Sequence, residues 1–330
     1  MKINIIGAGT WGVTLAYLLS QKADVLVWSR SRKLIDSNTR THSNLNNFKI
    51  PDSISFTTDS SDLDFNNLTI IAIPSNAFED GFDHFLNREL ENGKYLIASK
   101  GFNSDTNQYL LLSESLKIHH GICDDNIAVI SGPNHAEEII AGKASATVIA
   151  STNISYAKEL QSLFSSNTFR VYTSKDVSGV QIGAAIKNII AIASGLCVGL
   201  KLGDNTQAAL VSRGMNEILS LNNIYDFDIK TVYGLSGLGD LIATCYSPHS
   251  RNRKLGVLIA EGYTLKEAKM KIGMVSEGIN ACKIIYNILD SNRHKIDLPI
   301  CNEVHNILFK NADPSNSLNN LMTRNLKNEN

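Results

Sequence analysis

One lysine lies within the longest apolar stretch of the chain. Residues 177–200 read VSGVQIGAAIKNIIAIASGLCVGL, and Lys187 is their one charged residue. Apolar side chains recur on every face at helical spacing, and the run is rich in Gly, Ala and Ser, which predicts a buried core helix. An ammonium there is costly unless something uses it, and desolvation is how a lysine becomes an acid or base near neutral pH. The alternative is a lysine that reaches solvent from a helix end, which its mid-helix position disfavours.

A second group of polar residues follows predicted strands. Ser75, Lys100 and Asn134 each lie within four residues after a short apolar run. Ligands of parallel sheets bind beyond the carboxyl ends of the strands. Lys100, between a serine and a glycine, is the strongest candidate, and its alternative is a surface lysine on a turn. His135 is better explained as a hydrogen-bonded loop histidine than as an acid or base.

A basic cluster occupies residues 250–254, SRNRK, after a glycine-rich segment whose one carboxylate is Asp240. Ser250 is expected to cap the following helix. Arg251, just inside the helix N-terminus, would then form a clamp for a phosphate or carboxylate together with free N–H groups. The alternative is a basic helix start on the surface. Further along, Glu277 lies in a short turn that could approach a cofactor.

A glycine fingerprint opens the chain. Gly7, Gly9 and Gly12 follow a short apolar strand, and an amphipathic helix is expected from about Trp11 to Ser20. This strand–turn–helix context is what a dinucleotide-binding loop requires, because the glycines let the backbone approach a pyrophosphate and the helix N–H groups bind it. The alternative is a tight turn without a ligand.

The residues after the second predicted strand, Asp24–Trp28, indicate the type of dinucleotide. An NAD-specific site places an acidic residue there, whereas this chain has Ser29-Arg30-Ser31-Arg32-Lys33. Arginines suit a 2′-phosphate, so NADP(H) is expected to bind, with the preference between NADP(H) and NAD(H) left open. The alternative is a solvated basic loop.

Element order predicts two domains, as the length of 330 residues also favours. Strands alternate with helices up to Tyr172, which is typical of an α/β, doubly wound Rossmann domain. Helical periodicity then takes over, so we expect a Rossmann domain over 1–176 and an all-helical domain over 177–330. The last packed helix is expected to start at Pro299, and residues 42–47 read as a surface loop. The predicted strands are 54–57, 68–73, 95–98, 127–130, 147–150 and 169–172, besides the two at the start.

Composition excludes several classes of protein. Lys and Arg number 31 against 32 Asp and Glu, so no global field favours nucleic acid or a membrane surface. No signal peptide is expected. The five cysteines are scattered, which argues for a reducing cytoplasm and against a disulfide framework or a zinc site.

Taken together, these motifs resemble the bacterial NAD(P)-dependent sn-glycerol-3-phosphate dehydrogenases. The resemblance runs in order through GAGTWG, PS, SKG, SGPNHAEE, the IKN helix, GLSGLGDLIATCYSPHSRN and SEG. It implies an N-terminal Rossmann domain, a helical C-terminal domain similar to that of 6-phosphogluconate dehydrogenases, and an active site between them. It also implies a cytoplasmic homodimer, not inserted in a membrane, that supplies glycerol 3-phosphate for phospholipid synthesis.

The resemblance also implies roles for individual residues. Lys187 takes the position of the proton acceptor, and Lys100 and Asp240 assist catalysis in the reversible reduction of dihydroxyacetone phosphate. Departures from the family pattern are Thr10 for a usual Ser, Ser31 for a common basic residue, and Asn134 for a usual Ser or Thr, which leaves the substrate contact of Asn134 open. The implied cofactor contacts are Thr10, Trp11, Arg30, Lys100, Ala136, Arg251, Val275 and Glu277, and the implied substrate contacts are Lys100, Gly132, Asn134, Lys187, Asp240, Ser250, Arg251 and Asn252.

Two other functions fit part of the pattern. One is another hydroxyacid or sugar-acid dehydrogenase on the same two-domain plan. The other is a nucleotide-binding sensor that keeps the fold without the chemistry, which would not require Lys187 or the cluster from Ser250 to Asn252.

Overall fold

The computed structural model describes residues 1–31, 33–36, 38–85, 89–103, 109–274, 276–326 and 328–329. The chain divides into two compact units. The first contains Met1–Ala184 and Lys230–Asp240, and the second contains Ala185–Ile229 and Leu241–Asn330. The division falls within one continuous helix, Val177–Gly199. The domain boundary expected at residue 176 stays a prediction.

The first unit is built on a large, mostly parallel sheet. The strands are β1 (Lys2–Ile6), β2 (Asp24–Trp28), β3 (Ile35–Asp36), β4 (Thr41–His42), β5 (Phe48–Lys49), β6 (Ile54–Thr57), β7 (Leu68–Ile71), β8 (Tyr95–Ile97), β9 (Ile127–Ser131), β10 (Ser145–Ala150) and β11 (Phe169–Ser174). The order in the large sheet is β11-β10-β9-β8-β7-β1-β2-β6, in which β9 and β10 pair antiparallel and the other pairs are parallel. Strands β3, β4 and β5, which come between β2 and β6 in the chain, form a small antiparallel sheet.

Strand register brings the predicted loops to one edge of this sheet. Ile6 at the end of β1 pairs with Trp28 and with Ile71, so β1, β2 and β7 end at the same level. Apolar side chains pack in two clusters, with Ile5 in one and Ile71 in the other. Burial on both faces is why the strands read as near-continuous apolar runs. The predicted doubly wound α/β fold is confirmed.

Helices connect the strands and make up the second unit. They are α1 (Thr10–Leu19), α2 (Phe78–Asp83), α3 (Leu112–His120), α4 (Ala136–Ile140), α5 (Ile154–Phe164), α6 (Val177–Gly199), α7 (Asp204–Ser220), α8 (Ile229–Val232), α9 (Asp240–Tyr246), α10 (Arg251–Ala260), α11 (Leu265–Ile272), α12 (Glu277–Ser291), α13 (Pro299–Lys310) and α14 (Pro314–Met322). A π-helical turn, Leu235–Gly239, precedes α9.

Within the second unit, α6 packs closely against α10. A Cβ atom on Gly195 would lie 2.0 Å from the carbonyl oxygen of Arg253, and one on Gly256 would lie 2.0 Å from that of Ile192. Glycine at both positions therefore lets the two backbones touch. By length and composition α6 could cross a membrane, yet 89% of its most apolar window is buried inside the protein. The predicted buried helix is confirmed.

Two details differ from the sequence-based expectation. Helix α14 follows α13, so Pro299 does not start the last helix; Asp313 caps α14 and Pro314 is its first residue, a recognisable helix start. In the segment predicted to be a surface loop, His42 and Leu45 are buried. Both point inward because β4 and the turn after it fold back onto the first unit's core.

Candidate active site

The glycine loop has the shape that a dinucleotide requires. Gly7 has a φ of +118°, and a Cβ there would lie 2.5 Å from the carbonyl oxygen of Ala72. A Cβ on Gly12 would lie 2.0 Å from the carbonyl oxygen of Gly7. Helix α1 can therefore approach the loop this closely only because residue 12 is glycine. Gly9 is the N-cap of α1, its own Cβ position is open, and the first helical turn has no acidic residue. A pyrophosphate fits this cradle of N–H groups.

Side chains near the loop also fit a dinucleotide. Thr10 is the first residue of α1 and is partly exposed. Trp11 is partly buried, and its Nε1 has no hydrogen-bond partner among the residues that the model describes. Arg30 is exposed two residues beyond β2, where the strand ends in Trp28 rather than in an acidic residue. Arg32 lies outside the described residues. A cation without an acid at this edge suits a 2′-phosphate.

A buried histidine supports the glycine loop, and sequence reasoning missed it. His42 is fully buried, with its Nε2 3.1 Å from the carbonyl oxygen of Ala8. The backbone N–H of Asn44 donates to Nδ1 over 3.2 Å. These contacts assign the proton to Nε2, so the neutral imidazole donates to the loop. Burial lowers the pKa of His42, although the hydrogen bond to Ala8 opposes this.

Lys100 and Asp240 form an ion pair in the first unit. Lys100 Nζ lies 2.9 Å from Asp240 Oδ2, with side chains 18% and 3% exposed. Lys100 follows β8, whereas Asp240 opens α9 after the π-helical turn. A carboxylate this deeply buried needs a charged partner. The pair leaves ammonium N–H groups of Lys100 to bind other oxygens, since an ammonium has three donors.

A small cavity adjoins Lys100. Ser99, Lys100, Ser131 and Gln181 are among its lining residues. Ser131 is 2% exposed, and its hydroxyl has no hydrogen-bond partner within the described part of the chain. Such a polar enclosure suits one water molecule.

Gly132, Asn134 and Ala136 follow β9. A Cβ on Gly132 would lie 2.9 Å from the Cα of Thr147, so the loop lies against β10. Asn134 Nδ2 donates to the carbonyl oxygen of Ala146 over 3.0 Å, while its Oδ1 is buried without a partner among the described residues. Ala136 is buried and starts α4. The amide nitrogen of Asn134 thus holds the loop to β10, and the amide oxygen is the atom that could meet a ligand.

Lys187 lies in the second unit and is 5% exposed. Its Nζ donates to Thr244 Oγ1 over 3.1 Å. Thr244 lies one helical turn after Asp240 on α9, a spacing that places the two residues on the same helix face. The prediction of a buried lysine is confirmed, and Thr244 is a contact that sequence reasoning did not single out.

The predicted basic cluster begins α10. Ser250 is the N-cap, and its hydroxyl accepts from the N–H of Arg253 over 3.2 Å, which confirms the predicted cap. Asn252 is buried: its Nδ2 donates to Asn188 Oδ1 over 2.9 Å, and its Oδ1 accepts from Gly278 N over 3.1 Å. Arg251, the first helical residue, is partly exposed. Asn252 therefore ties α10 to α6, next to Lys187, and to the start of α12.

Two predicted residues remain, Val275 and Glu277. Glu277 is the first residue of α12 and is partly exposed. Val275 lies outside the described residues. A cavity of about 620 Å³ in the second unit is lined by residues from α6, α7, α13 and α14. None of the described candidate residues lines that cavity, so its size gives no reason to place the chemistry there.

Comparisons with known proteins are consistent along the whole chain. Family models described as the N-terminus and the C-terminus of NAD-dependent glycerol-3-phosphate dehydrogenase match residues 2–157 and 176–319. The glycerol-3-phosphate dehydrogenase [NAD(P)+] of Thermoanaerobacter sp. (strain X514) is 38% identical over 333 residues, covering 100% of this chain and 99% of the relative. That of Clostridium acetobutylicum is 39% identical, covering 99% of this chain and 98% of the relative.

A solved structure matches equally well. The crystal structure of glycerol-3-phosphate dehydrogenase from Coxiella burnetii superposes with a TM-score of 0.92 at 33% identity, covering 98% of this chain and 99% of that chain. The motifs, the dinucleotide loop and both family models thus agree: the chain belongs to the family of NAD-dependent glycerol-3-phosphate dehydrogenases.

Proposed function

We propose that this chain catalyses the reversible NAD(P)H-dependent reduction of dihydroxyacetone phosphate to sn-glycerol 3-phosphate. The observation that carries the proposed chemistry is Lys187, an ammonium 5% exposed and the one charged group of a buried helix. A charge is kept in such a place at a cost to stability, and a reaction that needs an acid at that point explains why it is kept. Family membership supplies the substrate class.

The cofactor would be held by residues of both halves of the sequence. Backbone N–H groups of the glycine loop and of the α1 N-terminus would bind the pyrophosphate, and Arg30 would face the ribose phosphate. When bound, the reduced nicotinamide supplies the hydride that the ketone carbon accepts. Further proposed contacts are Thr10, Trp11, Lys100, Ala136, Arg251, Val275 and Glu277.

Lys187 is proposed as the proton donor for reduction and the acceptor for oxidation. Negative charge develops on the carbonyl oxygen as its carbon is reduced, and an ammonium stabilises that charge before it donates the proton from Nζ. The hydroxyl of Thr244 accepts a hydrogen bond from the same Nζ, which restricts the ammonium to one orientation. Help of this kind is worth about 10²–10⁴-fold in rate.

Lys100 and Asp240 are proposed to orient the substrate. Asp240 fixes one N–H of Lys100, and the other N–H groups can bind substrate oxygens. Gly132 and the amide oxygen of Asn134 would border the same substrate, the latter as an acceptor for a hydroxyl. This orientation contributes by holding the reacting carbon in place.

The start of α10 is proposed to hold the substrate phosphate. Ser250 caps the helix, Arg251 follows it, and no acidic residue occupies the first turn. An anion there would meet a guanidinium and the positive end of the helix dipole. Asn252 is already bonded to Asn188 and Gly278, so its contribution would be to hold this arrangement together.

The wider setting is also a proposal. We propose that the protein is a cytoplasmic homodimer without membrane insertion, and that its product feeds glycerophospholipid synthesis. Support comes from family membership and from the burial of α6.

The test follows the absorbance of NADPH, and separately of NADH, after dihydroxyacetone phosphate is added to purified protein. Rapid oxidation is expected, and the ratio of the two rates measures the preference for the 2′-phosphate. Oxidation of the reduced cofactor only by unphosphorylated keto acids, the oxidised forms of hydroxyacids, would indicate a different dehydrogenase. Cofactor binding without turnover on any phosphorylated ketone would indicate a nucleotide sensor.

A further inference from the structure

A buried polar cluster lies directly beyond the turn that carries Lys100. Glu79 Oε1 accepts from Asn103 Nδ2 over 2.6 Å and from the hydroxyl of Ser115, and Glu79 Oε2 lies 3.1 Å from His120 Nε2. Asn103 and Ser115 are 3% and 0% exposed. The side chains of His120 and Glu79 are 3% and 12% exposed. Four polar side chains are therefore paired with one another in a place largely closed to water.

The carboxylate of Glu79 is the centre of this cluster. Burial raises its pKa, but hydrogen bonds from His120 and Ser115 and the nearby imidazoles outweigh burial and hold the pKa of Glu79 below its usual value. It is therefore an ionised acceptor at neutral pH. Hydrogen bonds to a charged acceptor are stronger than those between neutral groups, so Asn103 is held firmly.

Asn103 closes a turn whose ends are both fixed. Ser99 Oγ donates to the carbonyl oxygen of Ile73 over 2.6 Å, and Asn103 N donates to the carbonyl oxygen of Leu110 over 2.9 Å. Between them, Gly101 has a φ of +134°, and a Cβ there would lie 2.6 Å from Ser75 Oγ. Lys100 thus lies in a turn that hydrogen bonds hold at both ends and close packing holds at Gly101.

We propose that Glu79 is a positioning residue: through Asn103 it holds the Ser99–Asn103 turn in the conformation that keeps the Lys100 ammonium on Asp240 and set for substrate. The inference rests on the proposed role of Lys100 in orienting the substrate. Glu79 itself does not touch substrate in this proposal. Its effect on the reaction must therefore disappear when the Lys100 side chain is removed.

The test uses a near-isosteric change and its compensation. Asn103→Asp places a second carboxylate against Glu79 and should displace the turn. We expect kcat/KM for dihydroxyacetone phosphate to fall about tenfold, which corresponds to about 1.4 kcal/mol. The NADPH Kd from nucleotide fluorescence should rise by a smaller factor, because Lys100 is one of several proposed cofactor contacts. Adding Glu79→Gln lets the new amide donate to the new carboxylate, so the double variant should regain most of the loss.

Further variants separate positioning from general stability. In a Lys100→Ala background, Asn103→Asp should cause no further loss of kcat/KM, which a merely structural role would not predict. Lys117 lies on α3 with Ser115 and His120, and it pairs with Asp124 at the surface. Lys117→Ala removes this exposed pair and should leave all values unchanged. If Asn103→Asp does not fold, Glu79→Gln alone is put through the same cycle. An equal loss with and without Lys100, an equal loss of NADPH affinity, or a double variant that recovers Tm but not kcat/KM would overturn the proposal.

A spectroscopic readout keeps the inference apart from the proposed function. The ¹³Cε resonance of Lys100, assigned by comparison with Lys100→Ala, should shift in Asn103→Asp and return in the double variant. This measurement needs no turnover. If the wild-type chain failed to reduce dihydroxyacetone phosphate, the proposed function would fall while the resonance still tested the positioning by Glu79. An unshifted resonance in Asn103→Asp would overturn the positioning alone.

Discussion

Lys100 Nζ and Asp240 Oδ2 lie 2.9 Å apart, although 140 residues separate the two in the chain. Asp240 is almost completely enclosed, so removal of Lys100 takes a cation away from a buried carboxylate. We expect Lys100→Ala to lower the free energy of unfolding by about 3 kcal/mol, measured by urea denaturation at pH 7.5. The double variant Lys100→Ala/Asp240→Asn should regain most of that stability, without regaining activity.

An exposed pair provides the control for this prediction. Lys94 Nζ and Glu159 Oε2 lie 2.8 Å apart, with side chains 46% and 57% exposed. Lys94→Ala should cost less than about 1 kcal/mol because water solvates the remaining carboxylate. Equal losses for Lys94→Ala and Lys100→Ala would mean that burial of Asp240 has no energetic consequence.

Lys187→Met should separate stability from activity. Methionine fills a similar volume without a charge, so the free energy of unfolding should not decrease and should rise if the ammonium is costly. Turnover should fall about 10²–10⁴-fold, with the NADPH Kd unchanged. Steady-state kinetics, nucleotide fluorescence and urea denaturation measure the three quantities. Near-normal turnover would remove Lys187 from the proposed mechanism.

Arg251→Ala should weaken binding of the phosphate group. We expect KM for dihydroxyacetone phosphate to rise about tenfold or more, as expected for loss of a charge-assisted contact of about 1.5–3 kcal/mol, with a much smaller effect on unphosphorylated dihydroxyacetone. Lys254→Ala changes an exposed cation on the same helix and serves as the matched control. Equal losses for both ketones would argue against a phosphate clamp at the α10 start.

The titration of His42 should make the free energy of unfolding depend on pH. Because its folded-state pKa is lowered, the unfolded chain binds the proton first, and stability is lost as the pH falls below the unfolded value of about 6.5. His42→Gln keeps an N–H donor for the carbonyl of Ala8 but does not titrate. The variant should therefore lose less stability than wild type between pH 7.5 and pH 5.5 in urea denaturation. Equal losses of stability in wild type and variant would show that His42 does not control the pH dependence between pH 7.5 and pH 5.5.

The titration of Glu217 should change the free energy of unfolding with pH in the direction opposite to that of His42. Its carboxylate accepts from the N–H groups of Ile300 and Cys301 at the start of α13, but complete burial raises its pKa to about 7 from the ordinary 4.5. The folded chain then binds the proton more tightly than the unfolded chain, so stability falls as pH rises from about 4.5 to 7.

Glu217→Gln tests that slope. The amide oxygen can still accept one of the two N–H groups, while the titration is gone. We expect the urea midpoint of the variant to vary less than that of wild type between pH 5 and pH 7.5. In wild type this group should change the free energy of unfolding by on the order of 2 kcal/mol over that range. The slope is compared rather than the absolute stability, because the new amide N–H groups are themselves buried. An unchanged slope would mean that Glu217 is ionised throughout.

Local patterns in the sequence were sufficient to predict much of the fold and some residues of the candidate site. The glycine spacing 7, 9 and 12, the serine that caps α10, and the apolar periodicity around Lys187 each act over a few residues, so a one-dimensional pattern contains them. Strand–helix alternation likewise indicated the parallel sheet. Helix α14 was also readable, from Asp313 and Pro314, but its cap was not recognised.

The partners of these residues were decided by the tertiary structure. Nothing in the sequence spacing joins Lys100 to Asp240, His42 to Ala8, or Glu217 to Ile300, because each contact closes a long loop whose ends meet only when the core packs. The spacing signal was weak: Arg213 and Glu217 lie four residues apart on α7, and that spacing does not reveal that Glu217 is buried against the start of α13. Sequence determined which residues could carry charge and chemistry; burial and strand register determined which of them became partners.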